Sequence, residues 1–273
     1  VTPLLIMAVY SFLTPGTFGG VIWEFSAGAY VQFLFERDIF DDTLAFTSAY
    51  LEIYGRSFLL AVGATLGCLV IGLPTAWYMA TRPPDVRNLW LFLITVPYWV
   101  NLLIRTLAML FLLRDEGPLN ALLIWLGVIS QPLTLAYTDG AILVGLIYSY
   151  LPFMILPIFA TIERFDFRLI EAAYDLYGDR LQVFRLIVVP LALPGIVAGC
   201  LLVFIPSLGA FIAPDILGGG RNLMIGNLIQ LQFASSRNWP FGAAAAMILM
   251  SVVLIALVFY ARAQTRGRIQ AAH

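Results

Sequence analysis

Long apolar runs without a charged side chain are the feature that most constrains the fold of this 273-residue chain. A helix needs about 20 mostly apolar residues to cross the hydrocarbon core of a bilayer. Four runs reach that length, and a fifth contains only Arg105; they cover residues 57–81, 140–162, 186–214, 238–261 and 88–113. Charged residues make up 11% of the chain, against about 25% in soluble domains. The sequence therefore predicts an all-α membrane protein.

Two shorter apolar stretches affect the count of spans. We interpret residues 1–13 as the end of a first span that starts outside this numbering, rather than as a signal peptide. Residues 117–138 have an apolar core of only 11 residues followed by Pro132, which favours an interfacial helix over a crossing. We therefore predict six transmembrane helices, the first truncated at its start, within a single transmembrane domain over residues 1–273.

The distribution of arginines predicts the orientation. With six spans, nine arginines fall on one side and five on the other, and the more positive loops are expected in the cytoplasm. Both termini are then cytoplasmic, and residues 14–56, 114–139 and 207–237 form periplasmic loops. A crossing by residues 117–138 would divide the arginines ten to four, so this count leaves a second topology open.

The first predicted periplasmic loop is rich in acids. They are Glu24, Glu36, Asp38, Asp41, Asp42 and Glu52. Such a loop suits the entry of a cationic solute, but acids are common in loops, and a solvated loop without a binding role is the favoured interpretation.

Residue types that support catalysis or metal binding are scarce. All fifteen basic residues are arginines, and the one histidine is His273. The two cysteines, Cys68 and Cys200, fall inside apolar runs and are expected to be buried free thiols. We predict neither a catalytic site nor a metal site.

Charged residues are concentrated in residues 163–185, which lie between two spans on the predicted cytoplasmic side. Asp166 is placed to cap a first helix, and Gly178 is expected to end it with a left-handed residue. Asp179 with Gln182 can form the capping box of a second helix. This helix–glycine–helix elbow suits docking into a cleft of another protein; a connector lying on lipid headgroups is the alternative.

Polar and aromatic side chains within or near the spans are candidates for a solute path. They are Tyr98, Trp99, Asn101, Tyr148, Ser149, Tyr150, Ser207 and Asp215. Aromatic rings can hold an ammonium group by cation–π attraction, although Tyr and Trp near span ends also anchor helices at the interface.

Arg105 is an intramembrane charge, which is costly to insert. We interpret it as a structural charge that ties spans together or pairs with an acid, for which Asp139 and Asp215 are the candidates. The spacings 63–67 and 195–199, each with a glycine at both ends, predict close helix packing.

The elbow resembles the EAA loop of bacterial ABC importer permeases. The resemblance rests on Glu171-Ala172-Ala173, followed by Gly178, Phe184, Ile187 and Pro190. Residues 115–120, 209–219, 224–229 and 238–242 resemble the polyamine (spermidine/putrescine) branch in particular. Asn238 departs from that branch, in which an aspartate is expected.

The resemblance implies a type I ABC importer transmembrane-domain fold. Residues 163–185 would be the coupling loop, in which Glu171, Ala172, Ala173 and Gly178 meet a cytoplasmic ATP-binding subunit dimer. ATP and Mg would be bound by that dimer, so this chain would hold no cofactor and would not be an enzyme. Ser207 and Asp215 would lie near the periplasmic gate.

The same resemblance implies a role and partners. The chain would form half of a pore in the bacterial inner membrane, together with a second homologous permease subunit and a periplasmic solute-binding protein. A polyamine is the expected solute, with phosphonate, sulfate/thiosulfate or iron as alternatives. An ion-coupled secondary transporter is disfavoured, since no acid lies inside the predicted complete spans.

Overall fold

The computed structural model describes residues 2–16, 19–37 and 44–270, with only the backbone given for residues 36–37, 44–45 and 259–270. The first elements are α1 (Thr2–Tyr10), β1 (Leu13–Pro15), β2 (Val21–Phe25), α2 (Gly28–Gln32), β3 (Phe35–Arg37), β4 (Leu44–Phe46) and α3 (Ala49–Ala80). There follow α4 (Pro84–Thr95), α5 (Leu102–Leu113), α6 (Pro118–Trp125), α7 (Asp139–Ile162), α8 (Arg168–Asp175), α9 (Arg180–Val183), α10 (Val189–Leu208), α11 (Ile212–Leu217), α12 (Ile225–Ala234) and α13 (Trp239–Gln270). Three acids of the predicted acidic loop, Asp38, Asp41 and Asp42, lie outside the described residues.

Four helical stretches in the described part of the chain are long and apolar enough to cross a membrane. They are Ala49–Ala80, Asp139–Ile162, Arg180–Leu208 and Trp239–Val258. The pair Pro84–Trp99 and Leu102–Trp125, bent by 96°, would be a fifth if it forms one broken span. The prediction of a mostly helical, multi-span membrane protein is confirmed. Of the six predicted spans, the first is represented by α1, whose nine residues are too few to cross.

The prediction of one continuous span over residues 88–113 is wrong. Helix α4 ends at Thr95, a 3₁₀ turn covers Val96–Trp99, and the backbone becomes extended at Val100. A new helix then begins, because Asn101 caps α5 by accepting a hydrogen bond from the Leu103 N–H over 2.8 Å. Side-chain capping satisfies a backbone donor that would otherwise be unpaired in the membrane.

Other boundaries also differ from the predictions. Helix α3 begins at Ala49, inside the predicted loop 14–56, and the preceding part of that loop contains the antiparallel hairpins β1–β2 and β3–β4. Residues 117–138 contain only the eight-residue helix α6. The prediction that this segment does not form a spanning helix of its own is confirmed.

The chain divides into two compact units, Val1–Ser57 with Leu223–His273, and Phe58–Asn222. The first unit has a small core of Phe33, Leu228 and Phe241. Within it, the Tyr54 hydroxyl donates to the Ala245 carbonyl over 2.8 Å. The Ile225 N–H at the start of α12 donates to the Ser57 hydroxyl, also over 2.8 Å.

The second unit is built on the close packing of α7 against α10. A Cβ at Gly195 would lie 2.7 Å from the Pro157 carbonyl oxygen, and a Cβ at Gly199 would lie 3.1 Å from the Met154 carbonyl oxygen. These approaches require glycine, so the predicted close packing through residues 195–199 is confirmed.

Helix α3 meets α7 through side chains rather than through a close backbone approach. A Cβ at Gly63 would lie 3.1 Å from Leu143 Cδ1, and one at Gly67 would meet Ile147. Buried apolar side chains fill the space between these helices and α10: Cys68, Ala76, Met79, Met154, Ile155, Ile158, Phe159, Ile162, Ala192, Ile196 and Val203. Both cysteines are free, Cys68 buried and Cys200 half-buried, in agreement with the prediction.

Candidate functional site

The elbow over residues 163–185 is folded as two short helices, α8 and α9. The N-cap position of α8 is Phe167 rather than the predicted Asp166. Asp166, one residue earlier, accepts a hydrogen bond from the Arg168 N–H over 3.1 Å. The predicted capping box of α9 is also present. The Arg180 N–H donates to Asp179 Oδ1 over 2.7 Å, and the Asp179 N–H donates to Gln182 over 3.2 Å.

The turn between the two helices differs from the prediction by one residue. Tyr177, not Gly178, has the left-handed backbone, with φ of 60°. The Gly178 N–H donates to the Ala173 carbonyl and the Tyr177 N–H to the Tyr174 carbonyl, both over 3.0 Å. This pair of bonds is the Schellman motif. Glycine is required at 178 for another reason, because a Cβ there would lie 2.7 Å from the Ala173 carbonyl oxygen.

The elbow has a small core of its own. Ile170, Val183 and Val188 are buried, and Trp77 of α3 packs against them together with neighbouring residues of the elbow. After α9 the chain makes a π-helical turn, Phe184–Val188. These contacts attach the elbow to the membrane helices, so a displacement of one is resisted by the other.

The outer face of the elbow is exposed. Glu171 and Ala172 lie on it, and Ala173 is half-buried. Tyr177 is 98% exposed and Leu176 83% exposed. These two neighbouring side chains add apolar surface to the exposed face of the elbow, at the predicted cytoplasmic side.

An ion pair lies beside the elbow. Arg87 of α4 and Glu163, which follows α7, are 2.8 Å apart, and both side chains are partly exposed. This contact joins the start of the broken helix α4–α5 to the segment that leads into the elbow. Sequence reasoning did not pair these residues, since they are far apart along the chain.

The predicted solute-path residues are only partly brought together. A cavity of about 260 Å³ inside the second unit is lined by Tyr98, Ser149 and Tyr150. The Tyr98 hydroxyl donates to the Ser149 carbonyl, and the Tyr150 hydroxyl donates to the Pro206 carbonyl over 3.3 Å. The cavity is also lined by Phe153 and Phe211. The sequence did not identify these two residues, because a phenylalanine within an apolar run does not differ in pattern from its neighbours.

The other predicted path residues lie elsewhere. Trp99 is 79% exposed, and Asn101 is used as the cap of α5. Ser207 is fully buried and donates to the Val203 carbonyl of its own helix over 2.6 Å. Asp215 is exposed on α11.

Arg105 lies against the cavity, only 9% exposed. Its Nη1 donates to the Pro97 carbonyl over 3.2 Å. Its guanidinium carbon lies 4.8 Å from the centre of the Tyr98 ring and 5.7 Å from that of Tyr148. Arg105 of α5 therefore contacts both the 3₁₀ turn and α7.

The structure does not pair Arg105 with either of the two acids considered as its partners. Among the described residues it forms no ion pair with Asp139, Asp215 or any other carboxylate. Its Nε is buried without a hydrogen-bond partner. The guanidinium instead lies against the rings of Tyr98 in the 3₁₀ turn and Tyr148 in α7, which attract a cation.

A second cavity, of about 680 Å³, is wider and more polar. It is lined by Arg114, Asp115, Glu116, Thr134 and Tyr137, among others. It lies in the predicted periplasmic loop 114–139. Among the described residues, no group of three or more histidine, cysteine, aspartate or glutamate side chains is arranged to hold a metal ion.

Comparison with known proteins identifies the family. The profile of the binding-protein-dependent transport system inner membrane component family matches residues 72–269. The spermidine/putrescine transport system permease protein PotB of Escherichia coli is 45% identical over 235 residues, which is 86% of this chain and 85% of that protein.

Solved structures agree in fold. A bacterial ABC transporter involved in the import of the acidic polysaccharide alginate matches with a TM-score of 0.73 at 14% identity, over 97% of this chain and 89% of that chain. The bacterial alginate ABC transporter in complex with an alginate pentasaccharide-bound periplasmic protein matches with a TM-score of 0.62 at 16% identity, over 78% of this chain and 77% of that chain. The chain belongs to the family of binding-protein-dependent transport system inner membrane components, the permease subunits of ABC importers, and is a multi-pass transport subunit rather than an enzyme.

Proposed function

We propose that this chain forms half of the pore of an importer for polyamines such as spermidine and putrescine. The solute is delivered by a periplasmic binding protein, and a second homologous permease subunit completes the pore. The observation that carries the choice of solute is the 45% identity to a spermidine/putrescine permease over 86% of this chain.

The exposed elbow supports the view that a separate subunit hydrolyses ATP. In this proposal Glu171, Ala172, Ala173 and Gly178 contact a cytoplasmic ATP-binding subunit dimer. That dimer supplies the ATP and Mg, so this chain needs no cofactor. The exposed apolar side chains Leu176 and Tyr177 give the elbow a surface that a partner can bury.

The orientation follows from this assignment. An elbow that meets a cytoplasmic ATPase lies on the inner side of the membrane, which is also the side favoured by the arginine count. Both termini are then cytoplasmic, and the loops 114–139 and 207–237 face the periplasm. The binding protein would dock on that face, near Asp215.

The aromatic lining of the cavity beside α5 is consistent with a cationic solute. The rings of Tyr98, Tyr150, Phe153 and Phe211 surround it, and aromatic faces attract ammonium groups. Among the described residues, no carboxylate lines this cavity. Recognition inside the membrane would therefore depend on rings and carbonyl oxygens rather than on an acid.

Uptake measurement tests the choice of solute. The chain, its ATPase, the second permease subunit and the binding protein are expressed together in a bacterial strain that lacks polyamine uptake. We expect labelled putrescine to enter, and we expect excess spermidine but not excess sulfate to compete. Failure of putrescine uptake by an assembled complex, or competition by sulfate instead, would contradict the proposal.

A further inference from the structure

We infer that Arg105 is a tethered cation that occupies the aromatic cation site of the permease, and that an ammonium group of the solute enters this site by displacing it. This inference deepens the proposed function and rests on it. The residues that carry it are Arg105, Tyr98, Tyr148 and the Pro97 carbonyl.

The geometry around Arg105 is that of a cation-binding site already filled. The guanidinium carbon lies 4.8 Å from the Tyr98 ring centre and 5.7 Å from the Tyr148 ring centre. The Pro97 carbonyl accepts a hydrogen bond from Nη1 over 3.2 Å. Two aromatic faces and a carbonyl oxygen are also what a primary ammonium group needs when no carboxylate is near.

The guanidinium is incompletely satisfied in this position. Its Nε is buried and has no hydrogen-bond partner, and Arg105 forms no ion pair with a described carboxylate. An arginine held by a carboxylate would be fixed in place by paired hydrogen bonds. Arg105 lacks that restraint, so a competing cation displaces it more easily.

Arg105 also borders open space on two sides. It lines the cavity that contains Tyr98, Ser149 and Tyr150. It also lines a third cavity of about 260 Å³, which contains Tyr148 and is otherwise apolar. The long arginine side chain therefore has room to swing away. The rings of Tyr98 and Tyr148 then remain available to an incoming ammonium group.

Removing the resident cation should improve the binding of amines. The test uses the assembled permease–ATPase complex without the binding protein, and it measures equilibrium binding of labelled putrescine and its competition by butylammonium. We expect Arg105→Gln and Arg105→Met to bind both amines about tenfold more tightly than the wild type, since one cation–π competitor is removed. Arg105→Lys keeps the positive charge but lacks the planar guanidinium that stacks on the rings, so its gain in amine affinity should be smaller than that of the neutral variants.

Guanidinium provides a chemical control. In Arg105→Ala the site is vacated, so guanidinium chloride at about 0.1 M should weaken amine binding back toward the wild-type value, whereas potassium chloride of the same ionic strength should not. Arg114→Gln removes a positive charge at the exposed end of the same helix and should leave amine affinity unchanged.

Two results would overturn the inference. One is unchanged or weaker amine binding in every neutral variant that assembles, which would assign Arg105 a structural role only. The other is a failure of guanidinium to compete in Arg105→Ala. Failure of the proposed polyamine function looks different: the wild-type complex would not import putrescine, while the affinity for butylammonium would still rise in the neutral variants.

Discussion

At the scale of single residues, the turn of the elbow depends on two neighbours with different tasks. Tyr177 takes the left-handed conformation at a φ of 60°, which costs a non-glycine residue about 1–2 kcal/mol. Gly178 allows the chain to pass close to the Ala173 carbonyl oxygen. The Tyr177 side chain lies at this turn and is 98% exposed.

The first prediction concerns this close approach. In Gly178→Ala the new Cβ would lie 2.7 Å from the Ala173 carbonyl oxygen, so the turn must open, at a cost of about 1–3 kcal/mol. We expect faster amide hydrogen exchange over residues 168–185 and a several-fold fall in uptake. Gly55→Ala is the matched control, because nothing lies within 4 Å of a Cβ at that helical position, and exchange there should not accelerate.

Sequence reasoning came within one residue of this turn. The capping box of Asp179 and Gln182 is local, since its groups are three residues apart, and it was predicted correctly. The left-handed residue was placed at Gly178, because glycine adopts positive φ most easily. The close approach of Gly178 to the Ala173 carbonyl oxygen decides that Tyr177, and not Gly178, takes the left-handed conformation. Residue types alone do not reveal the distance between these two groups.

At the scale of elements, hydropathy alone did not predict the break between α4 and α5. Residues 88–113 are apolar enough for one span, and hydropathy does not register a change in direction. Pro97 and Asn101 carried the signal, because proline removes a backbone donor and asparagine is a preferred helix cap. The stacking of Arg105 on tyrosines could not be predicted, since it needs the relative positions of α5 and α7.

The second prediction concerns the ion pair between Arg87 and Glu163, 2.8 Å apart. Partly exposed pairs contribute about 0–1 kcal/mol to stability, so we expect Arg87→Glu and Glu163→Arg to leave assembly nearly unchanged. Each single reversal places like charges together, however, and should lower uptake by a few fold if α4 moves with the elbow. The swapped double variant should recover most of the uptake rate. Additive losses in that variant would contradict the coupling.

The third prediction concerns the packing of α7 on α10. A valine at Gly199 would place its Cβ 3.1 Å from the Met154 carbonyl oxygen and 2.8 Å from Met154 Sδ, so the helices must separate. We expect Gly199→Val to lower the midpoint of thermal unfolding of the purified complex by several degrees, or to prevent assembly. Gly55→Val should do neither, as its surroundings are open.

At the scale of the whole molecule, the elbow and the aromatic cavity belong to the same compact unit, Phe58–Asn222. Helix α7 connects them: Ser149 and Tyr150 lie at the cavity, and Glu163 follows the end of the helix. The 13 residues from Tyr150 to Glu163 correspond to about 20 Å of helix. A movement of the elbow can therefore reach the cavity through one packed helix.

That the chain is a membrane protein, and where most of its spans lie, could be predicted from the sequence. Both follow from the scarcity of charged residues and from the long runs that contain none. The site was only partly predictable. The exposed elbow carries its pattern in consecutive residues, whereas the cavity collects side chains from the 3₁₀ turn, α5, α7 and the segment after α10. Phe153 and Phe211 resemble any other apolar residue until the helices are assembled.

The central claim is that this chain transports a solute by coupling its elbow to a separate ATPase. The most direct measurement is ATP-driven putrescine uptake, together with retention of the ATPase on the purified chain, in the wild type and in Glu171→Lys. Reversing the charge on the exposed face of α8 should abolish uptake and weaken or uncouple the ATPase. Glu116→Lys, an exposed reversal on the opposite predicted side, should retain the ATPase. Wild-type uptake with normal ATPase retention in Glu171→Lys would contradict the account.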